Sequence, residues 1–144
     1  MSDEPATELT GACGCGAVRW RLTAAPLGAA YCHCTRCQRR TGSASSVSAL
    51  TAPGSLEFTA GEELIEAWRP EGGWPKTFCG ECGSAIGGQH PEKPEVVILR
   101  LGGFDEDPGV QILYRQFTAD AAPWEPIPDD GLQRFEGSAE IPGI

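Results

Sequence analysis

The sequence is short of positive charge: 11 Lys and Arg stand against 20 Asp and Glu, a formal net charge of −9. Sequence-independent binding to a phosphate backbone needs a basic surface that releases counterions, so no nucleic-acid partner is expected. No apolar run approaches the ~20 residues of a membrane-spanning helix, so no membrane partner is expected either. The first residues, Met1-Ser2-Asp3-Glu4-Pro5, are acidic and polar where an export signal has a basic start and an apolar stretch. A reducing, cytoplasmic setting is the expectation. No segment of ~12 residues or more carries an amphipathic helical pattern. With two histidines in the whole chain, obvious general acids and bases are few.

What is present fits one ordinary domain. At 144 residues, folding buries roughly two-thirds of the unfolded surface, enough for a core without disulfide staples. The 19 Gly and 12 Pro imply short elements and many turns. Val18, Trp20 and Leu22 alternate with Arg19, Arg21 and Thr23, so residues 17–23 read as a half-buried strand. Further strands are expected at 45–50, 55–59, 64–68, 76–79, 96–101 and 110–117, with at most a helical turn at 35–40. The fold class is mainly β, in small antiparallel sheets. The expected organisation is a flexible tail at 1–9, a domain at 10–136 and a C-terminal tail at 137–144.

The seven cysteines fall into three local groups: Cys13-x-Cys15, Cys32-x-Cys34-x-x-Cys37 and Cys79-x-x-Cys82. An odd number cannot all pair internally, and a chain with no visible export signal is a poor candidate for a disulfide framework. Two thiolates one or two residues apart can bind one tetrahedral ion from a single turn, which is zinc chemistry. Phe78-Cys79-Gly80-Glu81-Cys82-Gly83 has the form of a zinc knuckle, in which backbone N–H groups turn toward the sulfurs and glycine permits positive φ. The competing redox reading of a Cys-x-x-Cys pair needs a βαβ setting that is missing here.

Four cysteines close one structural zinc, and three leave an ion with an open position, the pattern of catalytic zinc. Two partitions fit the spacing. Cys13, Cys15, Cys79 and Cys82 can close one site while Cys32, Cys34 and Cys37 hold the open ion. Alternatively, Cys34, Cys37, Cys79 and Cys82 can form a ribbon-like site. The first is favoured, since three ligands so close in sequence can encircle an ion without long-range help.

The segments Gly11-Ala12-Cys13-Gly14-Cys15-Gly16-Ala17-Val18, Cys32-His33-Cys34-Thr35-Arg36-Cys37-Gln38-Arg39-Arg40-Thr41-Gly42 and 78–83 resemble the glutathione-dependent formaldehyde-activating enzymes, also described as the centromere-protein-V-like domain. Ala122-Pro123-Trp124, Asp130-Gly131-Leu132 and Phe135 look like that family's closing segment. The resemblance runs from Gly11 to about Phe135. It implies a β-tent of small coiled antiparallel sheets around two zinc ions. It also implies the first partition, with Cys13, Cys15, Cys79 and Cys82 on the structural zinc and Cys32, Cys34 and Cys37 as the catalytic ligands of the open one. The activity implied is the carbon–sulfur lyase type, joining glutathione and formaldehyde as S-hydroxymethylglutathione. The partner would then be a small-molecule thiol or thiol adduct, with a homo-oligomer left open.

Further expectations concern individual side chains and small groups of them. His33 should point away from the metal that its neighbours bind, and His90 should be solvated in its Pro-rich loop. Arg39 and Arg40 are candidates for recognising substrate carboxylates, or else compensate for nearby thiolate charge. The four Trp and five Phe are read as core, with Trp124 a candidate pocket wall, and Asp105, Glu106 and Asp107 as a solvated turn. The non-catalytic alternatives are a zinc-stabilised β binding module and a thiol-based redox or metal sensor.

Overall fold

The computed structural model describes residues 8–139. In chain order its elements are β1 (Leu9–Ala12), β2 (Arg19–Leu22), β3 (Gly28–Cys32), α1 (Thr35–Thr41), β4 (Ser46–Leu50), β5 (Leu56–Ala60), β6 (Ile65–Trp68), β7 (Lys76–Cys79), β8 (Ala85–Gln89), β9 (Val97–Arg100), β10 (Ile112–Gln116) and β11 (Gln133–Arg134). The chain is thus mainly β. No helix among the described residues is long and apolar enough to cross a membrane. Residues 1–7 and 140–144, which carry most of both expected tails, lie outside the described residues.

The chain divides into two compact units that interleave in sequence. Among the described residues, one comprises 8–27 together with Ala49–Val110, and the other comprises Gly28–Ser48 together with 111–139.

In the first unit, β1, β2 and β5 form an antiparallel sheet in that order, and β6, β7, β8 and β9 pair antiparallel in sequence. The alternation in β2 does what its pattern requires: Trp20 and Leu22 are buried, while Arg19 is exposed. They join Val18, Ile86 and Leu99 in a core that also contains Cys13 and Cys79. Phe104 meets Trp20 edge-on, with ring centroids 4.7 Å apart.

Gly87 shows why β8 escapes a reading by propensity. Glycine is a poor strand residue, but a Cβ at Gly87 would overlap the carbonyl of Ile98 on β9. Gly87→Ala is therefore expected to cost about 1–3 kcal/mol, the range for overpacking, read as a lower urea midpoint. An unchanged midpoint would show that β8 and β9 can separate freely.

In the second unit, the strand order is β11, β10, β3 and the first three residues of β4, 46–48. Here the structure departs from the antiparallel expectation, because β10 runs parallel to both β3 and β11. Parallel partners need a long connection, and the chain between β3 and β10 includes the second stretch of the first unit. The helical turn after the cysteine cluster is present as α1, one residue longer than expected.

The aromatic residues need a correction. Trp20 is core, but Trp68 and Trp124 are 44% and 66% exposed. The acidic loop is also more than a solvated turn: Asp105 Oδ2 accepts from the Thr10 hydroxyl and Glu106 Oε1 from the Thr10 N–H.

Candidate functional site

The cysteines form two clusters, each inside one unit. In the first unit, the Sγ atoms of Cys13, Cys15, Cys79 and Cys82 all lie within 4.8 Å of one another. Cys13 comes from the turn after β1, Cys79 ends β7, and Cys82 follows on the next turn. A tetrahedral ion with Zn–S bonds of ~2.3 Å sets sulfur–sulfur edges of ~3.8 Å. The Cys13–Cys15 and Cys15–Cys79 sulfur separations are 3.6 and 4.0 Å. The donor set therefore fits a tetrahedral metal.

The surroundings are those of a thiolate site. Val18 N–H points to Cys13 Sγ at 3.3 Å and Glu81 N–H to Cys79 Sγ at 3.4 Å, hydrogen bonds that favour the charged sulfur. The knuckle closes with Gly83 at φ 80°, a conformation that side chains other than glycine's resist, and its N–H donates to the Cys79 carbonyl. Ser84 was not singled out in the sequence. Its hydroxyl accepts from Gly14 N–H at 2.9 Å and lies 3.2 Å from Cys82 Sγ, tying the two ligand turns together. That hydroxyl contact is the main influence holding the Cys82 thiol down at about 6. Cys13 and Cys79 are buried, whereas Cys15 and Cys82 are exposed.

In the second unit, Cys32, Cys34 and Cys37 form a cluster of three, and among the described residues no His, Asp or Glu joins it. Cys32 ends β3, Cys34 caps α1 and Cys37 lies in its first turn. Cys34 Sγ accepts from Cys37 N–H at 3.3 Å. Cys32 and Cys34 are half-buried, and Cys37 is buried. The contact with Cys37, followed by burial, pushes the Cys32 thiol far up. A bound cation inverts this logic, since a coordinating thiol is deprotonated outright. Cys34 and Cys37 are thus grouped with Cys32 and not with Cys79 and Cys82.

The register of β3 and β10 sorts their side chains. Gln116 pairs with Cys32, and Tyr114 with Ala30, so Tyr114 and Cys32 share one face of the strand pair. Burial first, and then the Cys32 charge, raises the Tyr114 phenol above its ordinary value, so it stays protonated as a donor. The opposite face carries Tyr31 and Arg115.

His33 is buried, as expected of a residue turned away from its cysteine neighbours. Its Nε2 lies 3.1 Å from Arg115 Nη1. Burial and the Arg115 charge hold the imidazole below its usual range, hence neutral. His90 is half-buried, and its Nδ1 accepts from the N–H groups of Glu92 and Lys93 at 3.0 and 3.1 Å, because Pro91 turns the chain back over the ring.

Arg39 and Arg40 occupy the last turn of α1, Arg39 exposed and Arg40 half-buried. That position gives them one more plain role, since cations complement the carbonyl end of a helix. Arg115 is not singled out in the sequence, and Asp130 enters there only within the closing segment Asp130-Gly131-Leu132, with no partner assigned. The available signal for Arg115 was a lone charge in the middle of an otherwise uncharged stretch, Leu113-Tyr114-Arg115-Gln116-Phe117.

The family described as "Glutathione-dependent formaldehyde-activating enzyme" matches residues 8–120. No curated protein matches the chain. A solved structure, that of a Rhodobacter sphaeroides protein, is similar with a TM-score of 0.55 and 23% identity, over 88% of this chain and 98% of that one. At that identity the likeness speaks for the fold alone.

Proposed function

This chain belongs to the glutathione-dependent formaldehyde-activating enzyme family, and we propose that it is a zinc-dependent enzyme of the carbon–sulfur lyase type. Its substrates would be a glutathione-like thiol and a small carbonyl, or their adduct. The observation that carries this reading is the cluster of three cysteines, which supplies three ligands and leaves a fourth position for a substrate. The four-cysteine cluster, closed and built into the core, is the structural site.

An ion held by Cys32, Cys34 and Cys37 would supply a Lewis-acid position that favours the thiolate form of a bound thiol. The thiolate sulfur attacks the carbonyl carbon, a C–S bond forms, and the C=O π pair moves to oxygen. That oxygen takes up one proton, matching the one the thiol lost. Tyr114 contributes a neutral phenol on the Cys32 face that can donate a hydrogen bond to the developing oxyanion. Arg39, exposed at the end of α1, with Arg40 beside it, would meet a carboxylate of the thiol substrate.

The test is metal content with free-thiol titration on anaerobically purified protein. Two zinc ions per chain and no reactive thiols are expected, followed by adduct formation from glutathione and formaldehyde observed by NMR. One zinc with Cys32, Cys34 and Cys37 all titratable would overturn the open-site reading.

A further inference from the structure

The charged network on the face of the β3–β10 pair opposite Cys32 takes no part in the proposed reaction, yet its central guanidinium is bonded on all three nitrogens. Arg115 is 7% exposed. Its Nε and Nη2 both donate to Asp130 Oδ2, at 3.1 and 2.8 Å. Its guanidinium lies over the Tyr31 ring, 4.0 Å from the centroid. Its Nη1 reaches His33 Nε2. A guanidinium only donates, so Nε2 is the acceptor and Nδ1 carries the hydrogen. Nδ1 is buried toward the Ala44 backbone without a well-formed hydrogen bond among the described residues. Arg115 therefore supplies the well-formed bond that fixes this ring.

His33 stands between Cys32 and Cys34, so a ring held in one place restrains the backbone that presents both thiols. The same residue is held at its main chain: its N–H donates to the Gln116 carbonyl at 3.0 Å, and its carbonyl accepts from Gln38 Nε2 at 2.8 Å. Placing a charged side chain in the interior is costly unless it is fully paired. A neutral pair of apolar residues would fill the space without that cost. What the charged network adds is direction, because a planar fork bonded on two sides and stacked on a third leaves the ring one orientation.

We infer that Arg115, anchored by Asp130 and Tyr31, is a positioning residue that holds His33 and so fixes the ligand geometry of the Cys32–Cys34–Cys37 cluster. The inference rests on the reading that this cluster takes a metal ion. Outer partners of metal ligands, when removed, typically cost about 10–100-fold in metal affinity.

The test uses the full chain loaded with Co²⁺, comparing wild type with Arg115→Lys, Asp130→Asn and Asp130→Glu. The readouts are ions bound per chain, affinity of the second ion by chelator competition, and its ligand-field spectrum. Wild type is expected to bind two ions. Arg115→Lys keeps the charge but loses the fork, and Asp130→Asn loses the anchor. Both should retain the first ion and bind the second about 10–100-fold more weakly with an altered spectrum. Asp130→Glu, which restores a carboxylate, should recover part of the loss.

If Arg115→Lys fails to fold, Asp130→Asn decides, because that side chain is already 27% exposed. Unchanged affinity and spectrum of the second ion in folded Asp130→Asn would overturn the inference. A wild-type chain that binds a single ion would instead overturn the reading of the cluster, and the positioning role with it.

Discussion

Cys79→Ser is expected to abolish the cooperative thermal melt of this protein. Cys79 is fully buried, ends β7 and belongs to the same core cluster as Trp20, Leu22 and Leu99. Its sulfur also sits among the four that match a tetrahedral site. A structural zinc contributes about 10–16 kcal/mol to folding in small zinc-dependent peptides. A whole domain is typically stable by only about 5–15 kcal/mol. Losing the ion therefore removes a quantity as large as the entire margin, and a serine hydroxyl left among apolar neighbours adds about 1–3 kcal/mol.

The exposed ligands should behave differently. At Cys82, water can complete the coordination, so Cys82→Ser should lower the melting temperature without erasing the transition. Circular dichroism melts with zinc analysis on the same samples would check both. A Cys79→Ser chain that melts like wild type would remove the four-cysteine cluster from its structural role.

The sequence disclosed the two cysteine clusters because their information is local. Cys79-x-x-Cys82 states its own geometry in four residues, with Gly83 supplying the turn. Alternating strands were equally readable: β7 was expected at Lys76–Cys79 and runs there, and β2 follows the alternation of Val18, Trp20 and Leu22.

The elements that escaped are those whose cause lies elsewhere in the chain. β3, Gly28-Ala29-Ala30-Tyr31-Cys32, has little strand propensity of its own and is held by its parallel pairing with β10. β8 carries two glycines because Ile98 leaves no room for a side chain at Gly87. The environment of His33 is the clearest case. Its turned-away side chain followed from the positions of its neighbours, but its partner is Arg115, 82 residues away. No spacing rule connects those positions, since the register of two parallel strands brings them together.

Cys34→Ser is expected to separate chemistry from stability. Cys34 is the N-cap of α1, with φ −64° and ψ 155°, and its side chain accepts from Cys37 N–H. Serine is among the preferred residues for that role, so the substitution keeps the cap while replacing a thiolate ligand by a hydroxyl. Apart from the binding energy of the second ion itself, the fold should change by no more than about 0.5 kcal/mol, the range of substitutions that break no special feature. Samples of Cys34→Ser and wild type that both lack the second ion should therefore melt alike. The second ion, by contrast, is left with two cysteines, too few to hold it firmly.

Metal polarisation is worth several kcal/mol of transition-state stabilisation, and each ~1.36 kcal/mol is tenfold in rate. Thiol addition to formaldehyde should therefore fall by about 10²–10³-fold, with one zinc retained per chain. Cys34→Ala serves as the comparison, since it loses ligand and cap together and should cost a further ~1 kcal/mol of stability. If Cys34→Ser melted far below wild type while Cys82→Ser did not, the structural and open sites would have to be exchanged.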